Sequence, residues 1–271
     1  PSAVPATDVE TNGCGEFLAS DMMKYVDNAR VLGLGETMRF MECCEGEKRM
    51  ADKLELFAKK HIDGHAPGIR GKEVQAYRLA GVENDHECST AEEVLDKLRA
   101  GLHIYVREGS GAKNLETLIK TMLDAGVCLD RCAFCTDDKH VEEIRKEGHI
   151  STCIRKAIAL GVPVAKAYKM GSYQAAEFYG LKNYGAIGAG YRADIVFLDD
   201  LEQVRPLDVM KDGRILTEED YAKDYSVPVP DELLHTVHVG EVTKEKIRLS
   251  CDGKTDVIQM NPHQIVTTHL V

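Results

Sequence analysis

Short apolar runs alternate with longer amphipathic stretches along the first 161 residues, and this alternation constrains the fold more than any other feature. Strands separated by helix-like stretches of this length are expected to be parallel, because a parallel pair needs a long crossover connection. Six such runs without a glycine-rich phosphate loop favour a (β/α) barrel over a doubly wound sheet. The runs cover residues 2–6, 30–36, 61–65, 81–87, 102–108 and 131–137.

The stretches between these runs carry the apolar periodicity of helices. Thr90 followed by Glu93 predicts a capping box, in which each side chain bonds the other residue's backbone N–H at the start of a helix. Apolar residues three or four positions apart mark one buried face in each of three stretches. These residues are Met50, Leu54, Phe57 and Ala58; Val94, Leu95 and Leu98; and Leu115, Leu118, Ile119 and Met122.

The pattern changes near residue 185, where glycines lead into β-like runs. Asp212-Gly213 stands between two such runs and predicts a hairpin. An α/β body is therefore expected to be followed by a smaller β-rich part. The strands expected in that part cover residues 193–198, 204–210, 236–242, 245–250 and 257–260.

Charge and cysteine content narrow the range of partners and compartments. The chain has 34 basic and 45 acidic residues, a net charge of −11, which argues against nucleic acid or an anionic membrane as the main partner. No apolar stretch approaches the roughly 18 residues of a membrane helix, and no signal segment opens the sequence. The nine cysteines form no secreted scaffold, so reduced thiols in the cytoplasm are expected.

Several of the apolar runs end in a residue that is costly to bury. In a barrel the carboxyl ends of the strands line the active site, so these residues are expected to converge at one mouth. Imidazole nitrogen and carboxylate oxygen are ligands that suit zinc, iron or manganese. Each residue alone could equally be a hydrogen-bonded polar group near a loop. The residues are Glu36, His65, His86, Glu108 and Asp137.

Local strings around these residues resemble a known family. They occur in the order and spacing found in the bacterial adenine deaminases of the amidohydrolase superfamily, and they read GLGETM, DGHAPG, ENDHEC, VREGSGAKNL, CTDDKH and EGHI. PSAVPATDVETNG is similar to the third barrel strand of that family, and GAIGAGYRADIVFLDD to its return into a small β-sandwich. The resemblance implies a (β/α)8 TIM-like barrel of the metal-dependent hydrolase type, with strands 3–8 present. It implies a barrel over residues 1–184, a sandwich segment over 185–225 and the start of a C-terminal β-rich domain over 226–271.

The resemblance also implies a chemistry, the hydrolysis of adenine to hypoxanthine and ammonia by two divalent metal ions. Manganese or iron is expected, with zinc possible. Glu36 is similar to the carboxylate that bridges the two metals, and His65 and His86 to the histidines that bind the second one. Asp137 is similar to the aspartate that binds the first metal, and Glu36 and Asp137 are the expected proton shuttles.

Further implications concern the substrate and the completeness of the site. Arg107, Glu108 and Ser110 are similar to the motif that lies beside the substrate. The superfamily's first-strand His-x-His pair does not occur in these residues. We therefore expect either a segment of a longer polypeptide or a non-catalytic barrel remnant. Another cyclic amidine or amide is the alternative substrate, and a homo-oligomer without nucleic-acid or membrane partners is the expected assembly.

Overall fold

Five parallel strands organise the first half of the protein in the computed structural model, which describes residues 15–235, 238–250 and 253–271. β1 pairs with β2, and β4 pairs with both β3 and β5. The Glu83 N–H donates to Ile62 O over 3.0 Å and joins the two ladders. The strands are β1 (Gly33–Thr37), β2 (His61–Gly64), β3 (Asn84–Asp85), β4 (His103–Arg107) and β5 (Cys132–Cys135).

These strands confirm five of the six predicted runs, and the run at residues 2–6 lies outside the described residues. Every observed pairing among them is parallel, as the long connections require. The strands that the structure describes do not close into a ring, since β1 and β5 are the outer members of the two ladders. The closed eight-stranded barrel therefore stays a prediction.

Ten helices flank these strands within the described residues. The capping box is confirmed, because Thr90 Oγ1 accepts the Glu93 N–H and Glu93 Oε2 accepts the Thr90 N–H. The helices are α1 (Ala19–Val26), α2 (Phe40–Glu45), α3 (Lys48–Leu56), α4 (Gly71–Leu79), α5 (Ala91–Arg99), α6 (Leu115–Asp124), α7 (Val141–Glu147), α8 (Ile150–Ala159), α9 (Val164–Gly171) and α10 (Tyr173–Phe178).

The apolar faces of the helices form two main core clusters against the strands. One cluster packs α6, α8 and α9 on β4 and β5, and it contains the predicted stripe of α6, whose four apolar residues are fully buried. The other packs α1 to α4 on β1 and β2. Burial of apolar area holds the helices against the strands of each ladder. The candidate site residues stand on those ends.

The rest of the described chain is antiparallel. β6 (Ile195–Leu198), β7 (Pro206–Lys211) and β8 (Arg214–Ile215) form one sheet, followed by α11 (Glu218–Ala222). Lys211 pairs with Arg214, and Asp212 and Gly213 both have positive φ, which confirms the predicted two-residue hairpin. β9 (Val257–Met260) is confirmed as well, and it pairs with β10 (Thr267–Leu270), which the sequence reading did not include.

Two expected strands are corrected. No strand occurs in residues 238–242 or 245–250, and Thr236 and Val237 lie outside the described residues. The apolar side chains of these segments, among them Val239 and Leu249, are exposed. A strand needs a neighbour for its backbone N–H and C=O groups, and apolar content alone does not supply one. Within the described ranges, no helix is both long and apolar enough to cross a lipid bilayer.

Candidate metal centre

The four residues predicted as metal ligands lie together at the carboxyl ends of the parallel strands. Glu36 lies on β1, His65 directly follows β2, His86 directly follows β3, and Asp137 follows β5. His65 Nδ1 is 3.5 Å from Glu36 Oε2, and His86 Nε2 is 3.7 Å from Glu36 Oε1. His86 Nε2 is also 4.0 Å from Asp137 Oδ2. The structure thus brings the four side chains around one centre.

Close packing of β2 against β3 sets the positions of the two histidines. A Cβ atom at Gly64 would lie 2.0 Å from Asn84 O, so only glycine allows the two backbones to approach this closely. The Gly64 N–H donates to Asn84 Oδ1 over 2.9 Å. Tyr77, which is fully buried, accepts the His65 N–H and donates to Thr37 O. The ends of β1, β2 and β3 are therefore bonded to one another beside the site.

Glu87 is a fifth acidic or imidazole side chain at this centre, and the sequence analysis did not name it. Its side chain is fully buried, and Oε1 lies 3.1 Å from His86 Nε2 and 3.6 Å from His65 Nδ1. Burial acts to raise its pKa, but the hydrogen bond with His86 and the charge of Arg107 outweigh burial and lower the pKa to about 2. The signal for Glu87 was present in the acidic string around His86.

Arg107 connects two of the acids. Its side chain is 1% exposed, and Nη1 forms ion pairs with Glu87 and, over 3.0 Å, with Asp137. Burial acts to lower its pKa, but the charges of Glu87 and Asp137 raise it. The arginine therefore remains charged, and it holds two carboxylates that follow different strands.

The other two residues expected beside the substrate have different partners. Glu108 accepts a hydrogen bond from Lys156 over 2.6 Å, and Ser110 donates one to Glu143 over 2.7 Å. The structure does not bring Glu108 into the group around His86. Ser110 lines a cavity of about 570 Å³ that is also lined by Arg107 and Asp137. Contact of these residues with a substrate stays a prediction.

A second cavity, of about 230 Å³, opens on three of the four predicted ligands. Glu36, His86 and Asp137 line it, and Asp63 and Tyr179 contribute further polar atoms. Asp63 Oδ1 accepts the Tyr179 hydroxyl over 2.9 Å, and burial raises the pKa of Asp63. The cavity therefore has metal-ligand atoms on one side and hydrogen-bonding groups on another, as small-molecule sites do.

The donor set fits divalent metal ions. Two overlapping triplets have ligand atoms within 4.8 Å of one another, namely Glu36, His65 and His86, and His86, Glu87 and Asp137. Two buried atoms at the centre lack a short hydrogen bond, since Glu87 Oε2 has no partner among the residues described and His65 Nδ1 has only carboxylate oxygens of Glu36 and Glu87 at 3.5 and 3.6 Å. Buried polar atoms of this kind are costly unless something binds them. A cation held by nitrogen and oxygen would satisfy both.

Electrostatics at the centre favour ionised carboxylates. The imidazoles of His65 and His86 lower the pKa of Glu36, which is half-exposed to the cavity. Burial acts to lower the pKa of His86, but the hydrogen bond with Glu87 outweighs it and raises the pKa. Two anionic carboxylates beside two imidazoles form an arrangement that can hold cations and exchange protons with water.

Comparisons with known proteins agree with this geometry. An amidohydrolase family profile matches residues 45–216. The sequence is 41% identical over 271 residues to an adenine deaminase of Desulfitobacterium hafniense, covering 100% of this chain and 47% of that protein. It is 42% identical over 260 residues to an adenine deaminase of Clostridium acetobutylicum, covering 94% of this chain and 45% of that protein. The chain spans about half the length of the curated relatives it matches.

A solved structure is similar in fold. The β-aspartyl dipeptidase of Fervidobacterium islandicum AW-1 superimposes with a TM-score of 0.58 at 18% identity, covering 79% of this chain and 65% of that one. Together with the family profile, this likeness gives the chain the TIM-barrel fold of metal-dependent hydrolases.

Proposed function

This chain belongs to the amidohydrolase family, and we propose that it forms the metal-binding part of an enzyme that hydrolyses adenine to hypoxanthine and ammonia. The observation that carries the proposal is the convergence of Glu36, His65, His86 and Asp137 on one centre, beside a cavity that three of them line. The choice of adenine is supported by the names of the relatives from D. hafniense and C. acetobutylicum.

Members of the family use divalent metal ions. We propose that Glu36, His65, His86 and Asp137 would hold two such ions, with Glu36 as a ligand that they would share. Manganese or iron is proposed, with zinc as a further option, because nitrogen and oxygen ligands suit all three. When bound, such ions lower the pKa of water and supply hydroxide at neutral pH.

The chain's own carboxylates would move the protons of the reaction. Ring carbon C6 of adenine is a poor electrophile and ammonia is a poor leaving group, so a ring nitrogen and the departing amine each need a proton. Glu36 and Asp137 both approach His86 Nε2, at 3.7 and 4.0 Å, and both line the smaller cavity. Acid–base help of this kind accelerates reactions by about 10²–10⁴-fold.

Arg107 would position one of these shuttles. Its ion pair with Asp137 Oδ2, over 3.0 Å, fixes the position of that carboxylate. Arg107, Glu108 and Ser110 are proposed as substrate contacts; Arg107 and Ser110 line the larger cavity, and Glu108 forms an ion pair with Lys156. The division at residue 184 is supported by the change from parallel to antiparallel strands, and the one at residue 225 by the separation of the β6–β8 sheet from the β9–β10 sheet.

The proposal is tested by ammonia release. The protein that carries this sequence is freed of metal with a chelator, reloaded with Mn²⁺ or Fe²⁺, and offered adenine, guanine and cytosine in parallel. Ammonia from adenine alone, with hypoxanthine as the coupled product, is the expected result. Release from another cyclic amidine but not from adenine would overturn the substrate assignment. No release from any of them at full metal loading would overturn the enzymatic function.

A further inference from the structure

We propose that Glu93 and Lys97, on the buried face of α5, are positioning residues that hold the loop after β2 and the loop after β3 so that His65 and His86 face each other. The inference deepens the proposed function and rests on it. Neither residue is among the expected ligands or substrate contacts.

Both charged side chains are buried. Glu93 is 2% exposed and Lys97 is fully buried, although α5 is a surface helix whose Arg99 is exposed. Ionised groups are almost never fully buried unless they are paired, because removing a charge from water is costly. The partners of Glu93 and Lys97 therefore indicate what these charges do.

Lys97 contacts the residues next to both histidines. Its Nζ donates to Ala66 O over 2.7 Å and lies 3.4 Å from Asp85 Oδ2. The same Asp85 oxygen accepts the Ala66 N–H over 3.0 Å, and Oδ1 accepts the Glu87 N–H over 2.6 Å. One ammonium group thus connects the residue after His65 to the residue before His86.

Glu93 connects the same two loops one turn earlier in the helix. Its Oε1 accepts the Gly68 N–H, and its Oε2 accepts the N–H groups of Ser89 and Thr90 over 3.0 and 2.9 Å. Gly68 has a φ of 80°, a conformation that favours glycine and turns its N–H toward the carboxylate. The pair therefore binds each loop twice.

This arrangement matters because the two loops belong to different ladders. β2 pairs with β1, and β3 pairs with β4, so His65 and His86 stand on opposite sides of the junction between the two ladders. The imidazole rings are nevertheless only 5.4 Å apart. Glu93 and Lys97 bond to both sides of the junction through backbone groups and Asp85. They act on the donor atoms only through the loops.

Metal affinity, measured with Mn²⁺ alone, tests the inference without reference to adenine. Lys97→Met keeps the length of the side chain and removes its charge. Removal of outer partners of metal ligands weakens metal affinity or activity by about 10–100-fold, and we expect the Mn²⁺ dissociation constant to rise at least tenfold. The readout is the electron paramagnetic resonance signal of free Mn²⁺ during titration.

Lys53→Met is the matched control, because Lys53 is another buried lysine on a helix, α3. It should lower the thermal unfolding temperature as Lys97→Met does, yet leave the Mn²⁺ dissociation constant within twofold. Glu93→Gln is the second test variant, since it places an amide N–H against the donors of Ser89 and Thr90 and is also expected to weaken Mn²⁺ binding. A Lys97→Met and Asp85→Asn pair should be non-additive, because both residues act through one contact.

The outcomes separate the two proposals. If the wild-type protein binds Mn²⁺ and the folded Lys97→Met and Glu93→Gln variants bind it equally well, the positioning role is wrong and the metal centre stands. If Mn²⁺ binding weakens as expected but adenine releases no ammonia, the positioning role stands and the substrate assignment is wrong. If the wild-type protein binds no Mn²⁺, both proposals are overturned.

Discussion

Arg107 Nη1 donates a hydrogen bond to Asp137 Oδ2 over 3.0 Å, which joins the ends of two neighbouring strands. The arginine side chain is almost fully buried. The same nitrogen forms an ion pair with Glu87, which is also fully buried. One guanidinium therefore compensates two carboxylates that belong to the candidate metal centre.

Replacing Arg107 by Met should destabilise the metal-free protein. Glu87 would remain buried but would lose the positive charge of Arg107. Removing one partner of a buried ion pair costs about 3–5 kcal/mol. Urea unfolding measures the change. Arg99→Met, which removes an exposed pair with Asp96, is the control and should cost at most about 1 kcal/mol. Equal effects of the two substitutions would contradict the buried ion pair.

The close approach of β2 to β3 leads to a second prediction, which concerns the stability of a Gly64 variant. Gly64→Ala would place a methyl group 2.0 Å from Asn84 O, so the strands must separate. We expect a loss of about 1–3 kcal/mol in the free energy of unfolding, as for other overpacked sites. Gly240→Ala, with nothing within 4 Å of its added Cβ, should change stability little. An unchanged urea midpoint for Gly64→Ala would show that the strands lie further apart.

Stability should depend on pH through His103. Burial, and then the charges of Arg131 and Arg78, lower the pKa of His103 from 6.5 to about 4. Between these values the unfolded chain binds a proton that the folded chain does not, so the free energy of unfolding falls as pH decreases from 6.5 to about 4. His103→Phe retains a ring beside Phe178 and removes this proton. As pH decreases through that window, the free energy of unfolding of wild type should fall relative to that of His103→Phe. A difference between the two proteins that does not change with pH would refute the prediction.

Much of the site could be predicted because an acidic residue or a histidine at the end of an apolar run is easily recognised in the sequence. Glu36, His65, His86 and Asp137 each stand where an apolar run stops, and parallel strands bring such ends together. The parallel connections and the Thr90–Glu93 capping box followed from spacing alone. These features depend on residues that are close in sequence, so local sequence patterns are enough to predict them.

Features that depend on distant partners could not be predicted in this way. Glu87 directly follows His86, and the sequence does not tell that both neighbours contribute to the centre. The segment at residues 245–250 reads as a strand, but no strand lies beside it in the described residues. Asn114 donates to Gln264 over 3.0 Å across 150 positions, a contact that no local pattern contains.

Glu36→Gln tests the proposed proton shuttle and shared ligand together. The amide keeps the shape of the side chain but loses the charge that would hold cations and the basicity that would accept a proton. Turnover of adenine should fall by at least about 10²-fold, and bound metal should fall with it. The comparison variant is Glu55→Gln, an exposed change at the end of α3. Near-normal turnover with full metal content would make Glu36 an ordinary strand-end carboxylate.

The location of a bound metal tests the central claim most directly. Crystals of the protein that carries this sequence, grown with Mn²⁺, give an anomalous difference map that locates the ion without assumptions about mechanism. We predict a peak among Glu36, His65 and His86, about 2.0–2.2 Å from their ligand atoms, the distances typical of nitrogen and oxygen ligands of a divalent ion. A map with no peak within coordination distance of these residues, or with peaks only elsewhere, would contradict it.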